Sequence, residues 1–257
     1  MRFNTLMAAA CSIMLVAGFA YAQPSPAPTP MMSMPKLAPA RSHRLSVRVD
    51  SVKYGHMIPS EYAFCTAAAQ GHFTAAPDKS PRISWSKGPA GTKSYAVILY
   101  DTDSPAEHRE WMNQEGHTLT AAIKRKIFFH MVVVDIPPTV TALRAGAESD
   151  ARVVHGKPAT VSKVGVAGAS SYTQAFATND ALKGTYYGYD GPCSPWNDAN
   201  THHYHFTVYA LSVPSLGLSG DFGGEAAAAA MKGKVLAQGQ SLGVYSTNPA
   251  VMAKLKK

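Results

Sequence analysis

The side chains best suited to chemistry fall in four places along the chain: Asp101 with Asp103, His130, the loop around Gly191, and His202 with Tyr204. The richest stretch runs from Gly184 to Leu211. Its first half packs glycine, proline, cysteine and tryptophan into a turn-rich loop, and its second half opens a strand with His202, His203, Tyr204 and His205. Glycines let a backbone approach a ligand and present N–H groups, and a strand holds its side chains more rigidly than a loop does. Imidazolium and phenol donors joined to backbone N–H groups match the oxygens of a phosphate-like anion. The carboxylates would orient and charge the histidines, or accept from an amine or a protonated ligand oxygen. Against this stands a plainer reading, in which the stretch is a surface hairpin with solvated histidines and His130 is a satisfied core residue.

The elements that must position these groups are mostly strands. Ser94–Tyr100 is a nearly unbroken β-type run that ends in Asp101-Thr-Asp-Ser-Pro105. Carboxylates at i and i+2 on a strand face the same side, so Asp101 and Asp103 are expected to point into one site. Residues 127–138 form a buried strand stopped by two prolines, with His130 expected on the face of Phe128, Val132 and Val134. From His202 to Val213 the chain alternates, and His202, Tyr204, Phe206, Val208 and Ala210 are expected inward, with His202 and Tyr204 at a pocket mouth.

Shorter strands are expected around Leu45, Val47 and Val49 and over residues 81–86. Turn and loop chemistry dominates residues 55–76, a polar excursion occupies 106–126, and 141–186 reads as irregular with one short strand. The one convincing helix spans Glu225–Gln240, alanine-rich and opening with an acid at its positive end. These elements make a mainly β single domain over residues 41–250, followed by a basic tail at 251–257.

Ahead of the domain, a basic start, an apolar run from Leu6 to Phe19 and an Ala20-Tyr-Ala22 ending describe a signal peptide at 1–22, cut after Ala22. Export to the periplasm or the exterior follows as an expectation. Residues 23–40, rich in proline and small side chains, are expected to be a disordered linker. Cleavage removes Arg2 and no acid, which moves the formal charge from +8 to +7. That charge favours anionic ligands or surfaces, but no basic stripe interleaved with aromatics is present, so nucleic acid is not expected as a partner. Membrane contact is expected to be peripheral at most.

Two cysteines remain after cleavage, Cys65 and Cys193, in a compartment where disulfides persist. A bridge and two free buried thiols are both open, with the bridge favoured; it would tie the Gly191 loop to the N-terminal part of the domain. No Gly-x-Ser-x-Gly elbow is present, nor the His-x-x-x-His or Cys-x-x-Cys spacing of a common metal site. Neither an enzyme nor a metal or other cofactor is therefore expected.

Four ordered blocks, Ser94-Tyr-Ala-Val-Ile-Leu-Tyr-Asp-Thr-Asp-Ser-Pro105, His130-Met-Val-Val-Val-Asp-Ile-Pro137, Gly188-Tyr-Asp-Gly-Pro-Cys-Ser-Pro195 and His202-His-Tyr-His-Phe-Thr-Val-Tyr-Ala-Leu211, resemble the signatures of the phosphatidylethanolamine-binding protein family, in its bacterial Raf-kinase-inhibitor-like branch. The resemblance extends to Val235-Leu-Ala, which is similar to part of that family's C-terminal helix. It implies a β-sandwich with a C-terminal helix and a small cavity for phosphate, acetate or a phosphorylated head group. Carried over residue by residue, it implies ligand-binding roles for Asp101, Asp103, His130, Gly191, His202 and Tyr204, with Pro105 at the rim. Thr102, Met131 and His203 depart from the family's usual proline, tryptophan and arginine. A second role implied by the resemblance is that of a protein-interaction module that inhibits a protease or kinase.

Overall fold

The computed structural model describes residue 34 and residues 44–255. The expected signal peptide, the expected linker apart from Met34, and the last two residues of the basic tail lie outside the described residues. Among the latter, the strands in chain order are β1 (Val47–Val49), β2 (His56–Met57), β3 (Cys65–Ala67), β4 (Phe73–Ala75), β5 (Ile83–Trp85), β6 (Ser94–Pro105), β7 (Arg125–Ile136), β8 (Ala142–Leu143), β9 (Val166–Gly168), β10 (His202–Leu211) and β11 (Val235–Tyr245). Three short helices, α1 (Tyr172–Ala175), α2 (Gly224–Met231) and α3 (Pro249–Leu255), accompany them.

A six-stranded sheet in the order β2-β11-β10-β6-β7-β9 is the frame; only β2 and β11 are parallel. Its centre, β6, is apolar without a break from Tyr95 to Tyr100 because both of its faces are covered there. One face carries Tyr95, Val97 and Leu99 into a core shared with Met131, Val133, Phe206 and Val208 and with Val49, Ile83, Trp85 and Leu143 of a second sheet, β1-β5-β8. The other face carries Ala96, Ile98 and Tyr100 against Ala227, Ala228 and Met231 of α2. Each such apolar side chain removed from water contributes about 1.5–3 kcal/mol, which makes the sandwich the dominant stabilising feature. Met34 is buried in the second cluster, so the expected linker touches the domain at that point.

Several expectations change. The alanine-rich helix ends at Met231 instead of Gln240. Gly233 takes a left-handed backbone (φ 76°) that L side chains avoid, and the chain then reverses to pair Val235–Tyr245 with β10. Val235-Leu-Ala therefore lies in β11, and the C-terminal helix is α3, within which the basic tail begins. A Cβ on Gly239 would overlap the Leu45 carbonyl, so this strand passes the segment leading into β1 where only glycine fits. Residues 55–76, expected to be loop, hold β2, β3 and β4, whose two- and three-residue lengths are too short for a periodic signal. The stretch 141–186 likewise holds β8, β9 and the single turn α1.

Candidate functional site

Neighbouring strands bring the predicted residues together. Tyr204 on β10 stands opposite Asp101 on β6, and β7 flanks β6 on the other side. Two register irregularities shape the end of β6. Leu99 pairs with Met131 while the next residue, Tyr100, pairs with Phe129, so His130 is the extra residue of a bulge. A bulge re-aims the side chain it inserts. His130 accordingly leaves the face of Val132 and Val134, where simple alternation placed it, and its ring meets that of Tyr204 at 5.1 Å and that of Tyr172 at 5.5 Å.

The second irregularity, between Asp101 and Ser104, separates the two acids. Asp101 points inward and accepts from His202 Nδ1 at 2.7 Å, whereas Asp103 accepts from the backbone N–H and the ring of His203, each at 3.0 Å. The expected convergence of both carboxylates on one site is thus corrected: an inserted residue breaks the i, i+2 rule, and Asp103 sits at the edge. Its own N–H donates to Asp101 Oδ1 at 2.8 Å, which helps to hold the inner acid. Pro105 is buried at the end of β6 opposite Arg125.

Behind these residues stand two charge networks that the sequence did not single out. In the first, His202 Nε2 reaches Asp198 at 3.2 Å, and Arg125 donates to both oxygens of Asp198 at 2.5 and 3.1 Å. Arg125 also donates to the carbonyls of Asp103 and Thr120. In the second, His130 Nδ1 donates to the Asp190 carbonyl at 2.8 Å, Lys157 Nζ donates to Asp190 Oδ1 at 2.5 Å, and Asp78 Oδ1 accepts from Gly191 N–H at 2.7 Å. Asp190 and Asp198 lie within the Gly184–Leu211 stretch and were legible as acids near histidines. Lys157 lies in the weakly organised region and carried no signal.

Gly191 has a structural reason to be glycine. A Cβ there would overlap the carbonyl of Tyr62, and its own carbonyl accepts from Tyr172 Oη at 2.9 Å. Cys65 and Cys193 are bridged, with Cα atoms 5.0 Å apart, so the loop is also covalently held to β3. The polar excursion after Pro105 closes over the same end of the sheet. Asn197 Nδ2 donates to the carbonyls of Trp111, Gln114 and His117, and Leu119, fully buried, donates its N–H to Asn197 O.

The two central histidines are driven in opposite directions. Burial works against a charge on His202, but Asp101 and Asp198 outweigh it and raise its pKa to about 10. Both of its ring nitrogens therefore carry protons. Burial lowers His130 to about 4, with Asp101 and the Asp190 carbonyl only partly offsetting it, so this ring is neutral. Asp78 is raised to about 8 by burial and by Asp190.

A group raised on folding stabilises the fold fully below its unfolded value, here 6.5, and the contribution is lost as pH rises through its folded value. Urea titrations of the wild type and His202→Gln are therefore expected to differ most at pH 5–6.5 and to converge towards pH 10. A difference that stays constant across this range would mean that the imidazolium is not what the network stabilises.

Asp101, His130, His202 and Tyr204 expose only 1–3% of their surface. Among the described residues no three histidine, cysteine or acidic side chains are placed to hold a metal ion. A depression lined by Lys87, Thr92, Tyr95 and Pro138 lies at the other end of β6 and has no acid or imidazole in its wall. The polar cluster is the candidate site.

The phosphatidylethanolamine-binding protein family model matches residues 48–246, which contain every residue of this cluster. The chain is 30% identical over 223 residues to a UPF0098 protein of Aquifex aeolicus, spanning 82% of this chain and 93% of the relative. It is 28% identical over 179 residues to the UPF0098 protein YbcL of Escherichia coli, spanning 69% of this chain and 74% of the relative. The crystal structure of E. coli YbcL, described as a member of the mammalian family, superposes with a TM-score of 0.57 at 24% identity and covers 79% of this chain and 99% of that one, a likeness of fold. With the family model spanning the sandwich and both histidine strands, the chain belongs to the phosphatidylethanolamine-binding protein family.

Proposed function

We propose that this chain is an exported binding protein whose pocket takes a small phosphate-like anion or phosphorylated head group without turnover. One observation carries the reading: three strands and a disulfide-held loop converge Asp101, His130, His202 and Tyr204 on one deeply buried spot. The deep burial of these groups suits a phosphoryl or carboxyl group, with the remainder of the ligand outside against Asp103. In this reading His202 serves as a fixed cation and not as a general base. With both N–H groups donated to carboxylates it has no lone pair for a general base. Export is supported by the composition of residues 1–22 and fits a bridged Cys65–Cys193.

The test is a calorimetric titration of the mature protein with phosphate, phosphoethanolamine and acetate, beside a folded His130→Ala variant. Saturable binding by the wild type, weakened at least tenfold in the variant, is the expected result. Absence of binding at millimolar ligand would sink the reading and turn the search to a protein partner.

A further inference from the structure

The hydrogen bonds around the pocket leave very little unspent. His202 donates both of its N–H groups, to Asp101 and Asp198. The Gly191 N–H, the natural backbone donor of this loop, is given to Asp78. Tyr172 Oη donates to the Gly191 carbonyl and Tyr189 Oη to the Tyr62 carbonyl, whereas Tyr204 Oη has no partner among the described residues. The His130 ring is the decisive case. A carbonyl oxygen can only accept, so the 2.8 Å contact between His130 Nδ1 and the Asp190 carbonyl places the ring proton on Nδ1. Nε2 of the neutral ring is then a lone pair. A ligand entering the pocket meets one hydroxyl, from Tyr204, and one acceptor, from His130.

The surrounding charges lead the same way. His130 is faced by Asp101 from β6, by His202 and Tyr204 from β10, by Tyr172 from α1, and by the Asp190 loop with Asp78 and Lys157 behind it. Each cation in this set is matched by a carboxylate: His202 and Arg125 lie against Asp101 and Asp198, and Lys157 lies against Asp190. Arg152 acts on Asp78 from behind and lies over the Phe64 ring, and among the groups that act on His130 itself no surplus positive charge waits for a dianion.

Resting on the binding reading above, we propose that the pocket selects ligands that bring their own acidic proton. It binds a phosphomonoester as the monoanion, with the P–OH group donating to His130 Nε2 and Tyr204 donating to a second phosphoryl oxygen. It discriminates against phosphodiesters, which have no such proton. The depression of the His130 pKa by burial supports leaving the shared proton on the ligand side. Because a monoester loses its second proton near pH 6, binding at pH 7.5 takes up about one proton from solution.

The experiment is calorimetry of the mature protein with phosphoethanolamine at pH 7.5 in two buffers of different ionisation enthalpy, followed by a pH series and by the diester glycerophosphoethanolamine. The expected results are uptake of about one proton, affinity falling about tenfold per pH unit between pH 7 and 9, and diester affinity at least tenfold weaker. In His130→Gln the side-chain amide can donate where the imidazole cannot, so its binding is expected to lose the proton uptake. Phosphatidylcholine vesicles carrying phosphatidate, another monoester, separate a lipid source from a free one. Co-sedimentation competed by phosphoethanolamine assigns the lipid, its absence the soluble ester, and both outcomes support the monoester chemistry. Saturable binding without proton uptake, or equal affinity for the diester, would overturn the selection while leaving the anion pocket standing; no binding of any ligand would overturn both.

Discussion

Lys157→Met is expected to lower the unfolding free energy by about 3–5 kcal/mol, the usual loss when one partner of a buried ion pair is removed and the other stays charged. Lys157 is 6% exposed, its Nζ lies 2.5 Å from Asp190 Oδ1 and 3.8 Å from Asp78 Oδ2, and both acids are fully buried. Asp78 Oδ2 has no hydrogen-bond partner, and Lys157 is the only cation within 4 Å of the pair among the described residues, with Arg152 acting on Asp78 from farther away. The penalty will depend on pH in a definite direction. Burial already raises both carboxyls above 3.8, and a carboxyl raised in the folded state destabilises the fold increasingly as pH climbs from the unfolded value through the folded one. Losing the cation raises them further. The loss in Lys157→Met should be greatest above pH 8 and should shrink towards pH 4, where both acids can be neutral. Urea unfolding of wild type, Lys157→Met and Lys157→Met/Asp190→Asn at three pH values tests this. A single-variant loss below about 1 kcal/mol, or one that grows on acidification, would show that water reaches the pair and that Lys157 is no structural counter-ion.

The Cys65→Ala/Cys193→Ala double variant should lose a similar amount. The bridge joins residues 128 apart, and on the chain-entropy account a loop of that length restricts the unfolded state by about 4–5 kcal/mol. For a domain of this size that corresponds to a fall of roughly 10–18 °C in Tm. The effect should reach the site as well as the stability. Pro192 O accepts from Phe64 N–H at 3.0 Å and Cys65 N–H at 3.3 Å, and Tyr245 Oη donates to Cys65 O at 2.9 Å, so the bridge lies within the contacts that seat Gly191. Weaker anion binding by the double variant, at temperatures where it is still folded, is the matching functional result. Differential scanning calorimetry and a titration with phosphoethanolamine read the two arms. A Tm within about 3 °C of wild type would mean that the hydrogen bonds alone hold the loop.

These two expectations bear on different kinds of information. The long strands were legible because their side chains alternate or run apolar over seven residues or more: β6, β7 and β10 are where the residues place them. Asp101, His130, His202 and Tyr204 lie on those strands and were found with them. The helix over Glu225–Gln240 was half legible, since alanine favours helix at Gly224–Met231, but the reversal at Gly233 and the pairing with β10 come from tertiary partners that propensity does not sense.

What the chain determined by itself was therefore local: composition and periodicity mark a mainly β domain, a polar cluster at strand ends and a pair of cysteines, and the β-sandwich followed from the resemblance of its ordered motifs. Only the tertiary structure decided how those groups are wired. An extra residue in each of two strands turned His130 inward and Asp103 outward, a change of direction that a period of two cannot encode. The protonation states followed, because they depend on partners distant in sequence: Asp101 beside His202, and Asp190 with Lys157 behind His130. Electrostatic interaction and desolvation act through space at a few ångströms, and sequence spacing carries no measure of that distance.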